Sequence, residues 1–146
     1  MGYSITIGNA EIYNLPEELF AEYRITEVQT PYPATLVTMD NMYCRGNNMR
    51  MGYIQYHAML EMTGLVEVLT NEDLDNEAKA LIRVTPEMWQ SVGSSIHAHR
   101  ERYPSSVCLL NEGGLTPNSI LARLLWFEYW INWSLKNCKL PGIEFI

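Results

Sequence analysis

The stretch Asn41-Met42-Tyr43-Cys44-Arg45-Gly46-Asn47-Asn48-Met49-Arg50-Met51-Gly52-Tyr53 gathers the side chains best suited to holding an anion. Arg45, Arg50 and His57 fall in a span with no acid between Asp40 and Glu61, although the whole chain carries seventeen acids against ten Lys and Arg, a formal charge of −7. Guanidinium forks match phosphate or carboxylate, and Gly46 and Gly52 let main-chain amides approach a ligand. Asn47 and Asn48 would donate hydrogen bonds, and Tyr53 or Tyr56 would stack on a base. Arg45, Arg50, Asn47, Asn48, Tyr53, Tyr56 and His57 are therefore the candidate ligand-binding residues. Arg45 or Arg50 could equally pair inside the fold with a buried acid. No Gly-Lys-Ser/Thr follows Gly46, so this is not a Walker phosphate loop.

Other groupings offer less chemistry. His97 and His99 stand two apart beside Glu101, and on a helix that spacing separates them by about 200°, too far to share a metal. No metal site is expected, and no cofactor motif is present. No Gly-x-Ser-x-Gly elbow occurs, and Cys44, Cys108 and Cys138 are widely spaced with no Cys-x-x-Cys, so buried thiols are expected rather than disulfides or a zinc site. Glu128 lies in the apolar run Leu124-Leu125-Trp126-Phe127-Glu128-Tyr129-Trp130-Ile131. A buried acid needs a partner such as Arg123, Arg50 or a Tyr hydroxyl. No catalytic residue is singled out. A hydrolase using Glu128 with His57 is the weakest of the functional readings.

The elements that must position these residues follow from periodicity. Tyr3, Ile5 and Ile7 alternate with Ser4 and Thr6 as in a half-buried strand, and Gly8-Asn9 predicts a turn before Ile12-Tyr13. Pro16 with Glu17-Glu18 predicts a short helix over Leu15 to Tyr23. Tyr32 between two prolines forces an extended passage, and Ala34 to Met39 continues it as strand or loop. Asp40 to Gly52 reads as a structured loop leading into a helix from Tyr53 that stops at Gly64. The acidic run Asn71 to Glu77 reads as solvated. Thr85-Pro86 starts a second helix that ends before Pro104, with Gly93 a weak point, and Ser105 to Thr116 is loop. Ile120 to Asn137, free of Gly and Pro and preceded by Pro117, Asn118 and Ser119, is the strongest helix. Its apolar residues run right around it, which makes it central to a core or to an oligomer interface through Trp126, Trp130 and Trp133.

The expected fold is α+β, a helix-dominated single domain with a small N-terminal β-hairpin or sheet and a central buried C-terminal helix. A chain of 146 residues, 47% hydrophobic and 18% charged, is one domain long and can bury a core. Net negative charge opposes general nucleic-acid binding. Its longest uncharged stretches, about a dozen residues, fall short of the ~18 a membrane span needs. The start MGYSITIGNAEIYNL lacks a basic and apolar leader pattern, so a cytoplasmic protein is expected.

The opening Ile7-Gly8-Asn9-Ala10-Glu11, the Gly46-Asn47-Asn48-Met49-Arg50 loop entering a helix that ends in Gly64-Leu65, and Leu121-Ala122-Arg123-Leu124-Leu125-Trp126-Phe127-Glu128-Tyr129-Trp130 followed by Cys138 and Pro141 resemble a family of small proteins of tailed phages and prophages. Where that family tends to have Ser or Pro after the loop arginine and Trp near position 57, this chain has Met51-Gly52 and His57. The resemblance implies a phage setting, in which small acidic proteins act as accessory factors against host defence. One such class captures a nucleotide immune signal without cleaving it. The expectation is a non-enzymatic homo-oligomer that sequesters a small anionic ligand, cyclic nucleotides among the candidates. The alternative is a protein that blocks a host defence enzyme through the acidic residues Glu72, Asp73, Asp75 and Glu77 and an exposed aromatic patch.

Overall fold

Alternation of Tyr3, Ile5 and Ile7 with smaller polar residues makes the start of the chain a strand, because one face can then be buried and the other left polar. The computed structural model describes residues 2–14, 21–25, 44–71, 80–110 and 114–146; of residues 12–14, 21–24 and 45 it describes the backbone. Strand β1 spans Gly2–Asn14 and is the hub of an antiparallel sheet. On one side lies β4 (Asn48–Gly52), with Tyr3 opposite Met51 and Ile5 opposite Met49. On the other lies β6 (Pro141–Phe145), with Ile5 opposite Phe145 and Ile7 opposite Ile143. The short β3 (Cys44–Arg45) and β5 (Ala80–Arg83) extend the order to β3-β4-β1-β6-β5, and β2 (Ala21–Ile25) pairs with the far end of β1.

Three expectations are corrected here. Gly8-Asn9 makes no turn: both residues stay in β1, opposite Gly142 and Pro141, and the strand runs on to pair with β2 from Ala10. Residues 21–23, placed in a short helix, belong to β2, where pairing with β1 overrides the local helix signal; residues 15–20 lie outside the described residues. The stretch up to Gly52 is a hairpin over residues 44–52, because Met49 and Met51 point to the core while Asn48 and Arg50 point the other way. The extended passage at Tyr32, residues 34–39, residues 40–43 and the acidic residues 72–77 lie outside the described residues.

Helix α1 spans Tyr53–Thr63 and stops at Gly64, which takes the left-handed φ of 72° that a side chain would resist. Helix α2 (Pro86–Arg102) begins as its sequence directs: the Thr85 hydroxyl accepts from the Met88 amide, Pro86 follows, and Glu87 occupies the first turn. Its last turn carries His99, Arg100 and Arg102, which suits the negative end of the helix dipole. Helix α3 (Pro117–Asn137) opens with a reciprocal capping box between Thr116 and Ser119.

The inner face of the sheet, Tyr3, Ile5, Ile7, Met49, Met51, Ile143 and Phe145, packs against these helices as one core. Trp126, Phe127 and Trp130 of α3 are fully buried in it. Burying an aliphatic or aromatic side chain of this kind contributes roughly 1.5–3 kcal/mol, so α3 is the chief anchor of the domain. Two of the three tryptophans that could have formed an oligomer surface are thus spent inside this chain, and Trp133 is half-buried against the same core. The fold is α+β, with strands at the N-terminus and a buried C-terminal helix. Among the described residues no helix is long and apolar enough to cross a membrane.

Candidate functional site

The arginine-rich bend is built inward. Gly46, at φ 57°, turns the chain between β3 and β4, and its carbonyl accepts from the Trp126 indole Nε1 at 3.0 Å. Asn47 is fully buried, donating from Nδ2 to the Ile7 carbonyl at 2.8 Å, while its own carbonyl accepts from the Ile7 amide. Asn48 is buried too, and its Nδ2 reaches Ser4 Oγ at 2.9 Å and Thr6 Oγ1 at 3.0 Å. Both amides therefore tie strands together, an outcome that satisfies buried polar groups. Arg50 is exposed, and among the described residues no salt bridge engages it. The Arg45 side chain lies outside the described residues.

The aromatic members sit on the opposite side of the sheet. Tyr56 is fully buried, its hydroxyl donating to the Leu69 carbonyl at 2.6 Å, and burial together with nearby Tyr3 pushes that phenol well above its ordinary pKa. Tyr53 is half-buried with its ring 4.4 Å from that of Tyr3. His57 is half-buried, and its Nε2 lies 2.8 Å from the Tyr3 hydroxyl. The structure thus brings Tyr53, Tyr56 and His57 together around Tyr3, but the sheet separates them from Asn48 and Arg50.

A concave site lies elsewhere, where the end of α1 meets α2 and the start of α3. This pocket has a volume of about 250 Å³. From α2 come Ser95, Ala98, His99 and Arg102, at the i, i+3, i+4, i+7 spacing that places them on one face. Tyr103 follows at the helix end, with the Arg102 guanidinium carbon 5.4 Å from its ring centroid, a cation–π distance. The wall opposite is Met62 and Thr63 of α1, and Ile120 of α3 closes the floor. Ser95 Oγ donates to the Thr63 carbonyl at 2.8 Å and so ties α1 to α2. His99, buried, sits 2.8 Å through Nε2 from the Pro117 carbonyl, and its ring is 5.0 Å from that of Tyr103. An exposed guanidinium beside a phenol, over an apolar floor, can hold an anion attached to a planar or apolar body. Of the lining residues only His99 was weighed for chemistry from the sequence, as a metal ligand; the available signal was Ser95, Ala98, His99 and Arg102 on one side of a helix whose adjoining stripe, Met88, Val92 and Ile96, is buried.

Remaining titratable groups are placed as follows. His97 is exposed and bonds Glu101 at 3.0 Å across one helical turn, while His99 points inward, so the two rings face different ways, as their spacing requires. Among the described residues no group of three His, Cys, Asp or Glu could hold a metal. Glu128 is half-buried, and its Oε2 lies 3.5 Å from where a side chain on Gly93 would begin, an ordinary contact distance that leaves room for one. Burial raises its carboxyl above 4.5, and nearby Arg100 opposes that shift. Among the described residues the buried Arg and Glu side chains are instead Arg123 and Glu144. Both interrupt apolar runs, Leu121-Ala122-Arg123-Leu124 and Ile143-Glu144-Phe145, as Glu128 does. Cys44 is buried; desolvation pushes its thiol up to about 12, Cys108 adds slightly, and the Arg123 guanidinium draws it partly back.

Fold and site together define a small α+β domain with, among the described residues, an amphipathic pocket at a three-helix junction. No family model, curated protein or solved structure matches the chain.

Proposed function

We propose that this chain binds a small anionic, nucleotide-derived ligand without cleaving it, as a phage accessory protein that withholds a host immune signal in the cytosol. The observation that supports this best is the Arg102 guanidinium over the Tyr103 ring at the pocket between α1, α2 and α3. A phosphate would pair with the guanidinium, and the attached sugar and base would cover Met62, Ala98 and Ile120. The pocket takes over the role that the sequence assigned to the bend at residues 45–50, whose asparagines are occupied in joining strands. Arg50 remains an exposed cation that can attract the ligand from a distance.

Differential scanning fluorimetry against a panel of nucleoside monophosphates, diphosphates and cyclic nucleotides tests this. A ligand at about 100 times its Kd stabilises the fold by about 2.7 kcal/mol, a shift of several degrees in Tm. Arg102→Ala cuts the shift to what an uncharged analogue gives and leaves the unliganded Tm nearly unchanged, because the side chain is exposed; Arg50→Ala retains most of it. No shift with any member of the panel rejects the proposal.

A second reading, capture of a protein, draws on the exposed apolar residues Ile54, Met62 and Val66, which are 86%, 56% and 42% accessible. Patches of this kind mark interaction surfaces, and a second copy of the chain or a host enzyme would cover them. Multi-angle light scattering and Ile54→Asp separate the two occupants: the substitution dissolves a homo-oligomer if this stripe forms it.

A further inference from the structure

We infer that the pocket between α1, α2 and α3 selects its anion by the hydrogen-bond donors at the ligand's other end, and that its preferred ligands are nucleoside monophosphates whose base carries an exocyclic amino group. This rests on the anion-binding reading above and adds the chemistry of selection.

The reason is a count of hydrogens on the pocket wall. Ser95 has one hydroxyl hydrogen, and it is given to the Thr63 carbonyl at 2.8 Å. Thr63 has one, given to the Met59 carbonyl at 2.7 Å. The Pro117 carbonyl can only accept, so His99 Nε2 carries the hydrogen in the 2.8 Å bond between them, and in that tautomer Nδ1 is an acceptor. Three neighbouring polar groups of the wall therefore offer lone pairs and no hydrogen. Donors are confined to Arg102, with its five N–H groups, and the Tyr103 hydroxyl.

The pocket is thus polarised, with acceptors on the wall and a cationic donor beside them. A phosphate turned toward Ser95, Thr63 and His99 would meet lone pairs, whereas turned toward Arg102 it meets a guanidinium fork. The ligand's other end then fits best when it brings hydrogens to the wall, because a donor placed against these half-buried lone pairs is paired and an acceptor placed there is not. An exocyclic amine carries two hydrogens on one atom, and so supplies donors to a wall whose hydroxyl hydrogens are already given away. A volume of about 250 Å³ is below the ~300 Å³ at which drug-sized sites begin, which suits a single nucleotide better than a dinucleotide.

Isothermal titration calorimetry with three probes tests the inference: adenosine 5′-monophosphate, purine riboside 5′-monophosphate, which lacks only the 6-amino group, and adenosine, which lacks only the phosphate. The wild-type protein binds the first at least about tenfold more tightly than the second, the equivalent of one hydrogen bond. Adenosine also binds more weakly than its monophosphate, and Arg102→Ala removes that difference while keeping the preference for the amine. Ser95→Ala and Thr63→Val, each tested alone, weaken the adenylate and leave purine riboside monophosphate unchanged. Equal affinity for the two monophosphates overturns the inference while the anion-binding reading stands. If no nucleotide binds at all, that reading fails and this one falls with it.

Discussion

The Trp126 indole Nε1–H, within helix α3, donates to the Gly46 carbonyl at 3.0 Å across eighty residues of sequence. This bond clamps the β3–β4 turn onto the buried helix, so the glycine that could have let a ligand approach is used to bring the chain's own helix close. Trp126→Phe keeps a ring in the core but removes the donor and leaves a small void. The expected loss is at least about 1 kcal/mol, with the cavity adding to it, read as a lower urea midpoint at unchanged slope. Nucleotide binding is retained, because the pocket between α1, α2 and α3 does not use this contact.

Glu128 gives the fold a pH dependence whose sign is set by burial. Its carboxyl is raised above 4.5 chiefly by desolvation, with Arg100 opposing, so the folded state prefers the protonated form. That preference is fully present below pH 4.5 and is lost as pH rises through the raised value. Glu128→Gln, which keeps the shape and cannot ionise, is therefore more stable than wild type at pH 7. The advantage shrinks on acidification and vanishes near pH 3. Thermal melts of both proteins between pH 3 and 7 check this; a glutamine variant less stable at pH 7 would show that the carboxylate makes a favourable pair instead.

Thiol reactivity follows from placement as well. Cys44 is buried and its thiol is pushed up to about 12, whereas Cys108 and Cys138 are half-buried. Since the thiolate is the reactive species, an aromatic disulfide reagent at pH 8 labels Cys108 and Cys138 first, and Cys44 reacts only on unfolding. Peptide mass mapping of the labelled protein, with and without urea, reads the order directly.

Helix boundaries were legible where adjacent residues set them. The Thr85-Pro86 start of α2, the Gly64 stop of α1 and the position of α3 are all written in residues adjacent to the boundary they set. Gly8-Asn9 misled because nothing near it reveals that Pro141 and Gly142, some 130 residues away, pair with it and hold the strand straight. The alternation Asn48-Met49-Arg50-Met51 did encode β4, but the surrounding glycines and asparagines weighed toward a loop. The anion-binding candidates shared a loop in sequence and were divided in space by strand geometry, since neighbours in a strand face opposite ways. The pocket could not be read in the same manner, because its walls come from three helices that meet only through tertiary packing.

The most direct measurement is a titration of adenosine 5′-monophosphate into 15N-labelled protein, followed by amide chemical shifts. The account predicts saturable shifts at Met62 and Thr63 and along Ser95 to Tyr103, with the amides of Asn47, Asn48 and Arg50 unmoved. Shifts confined to residues 45–50, or none that saturate, would contradict it.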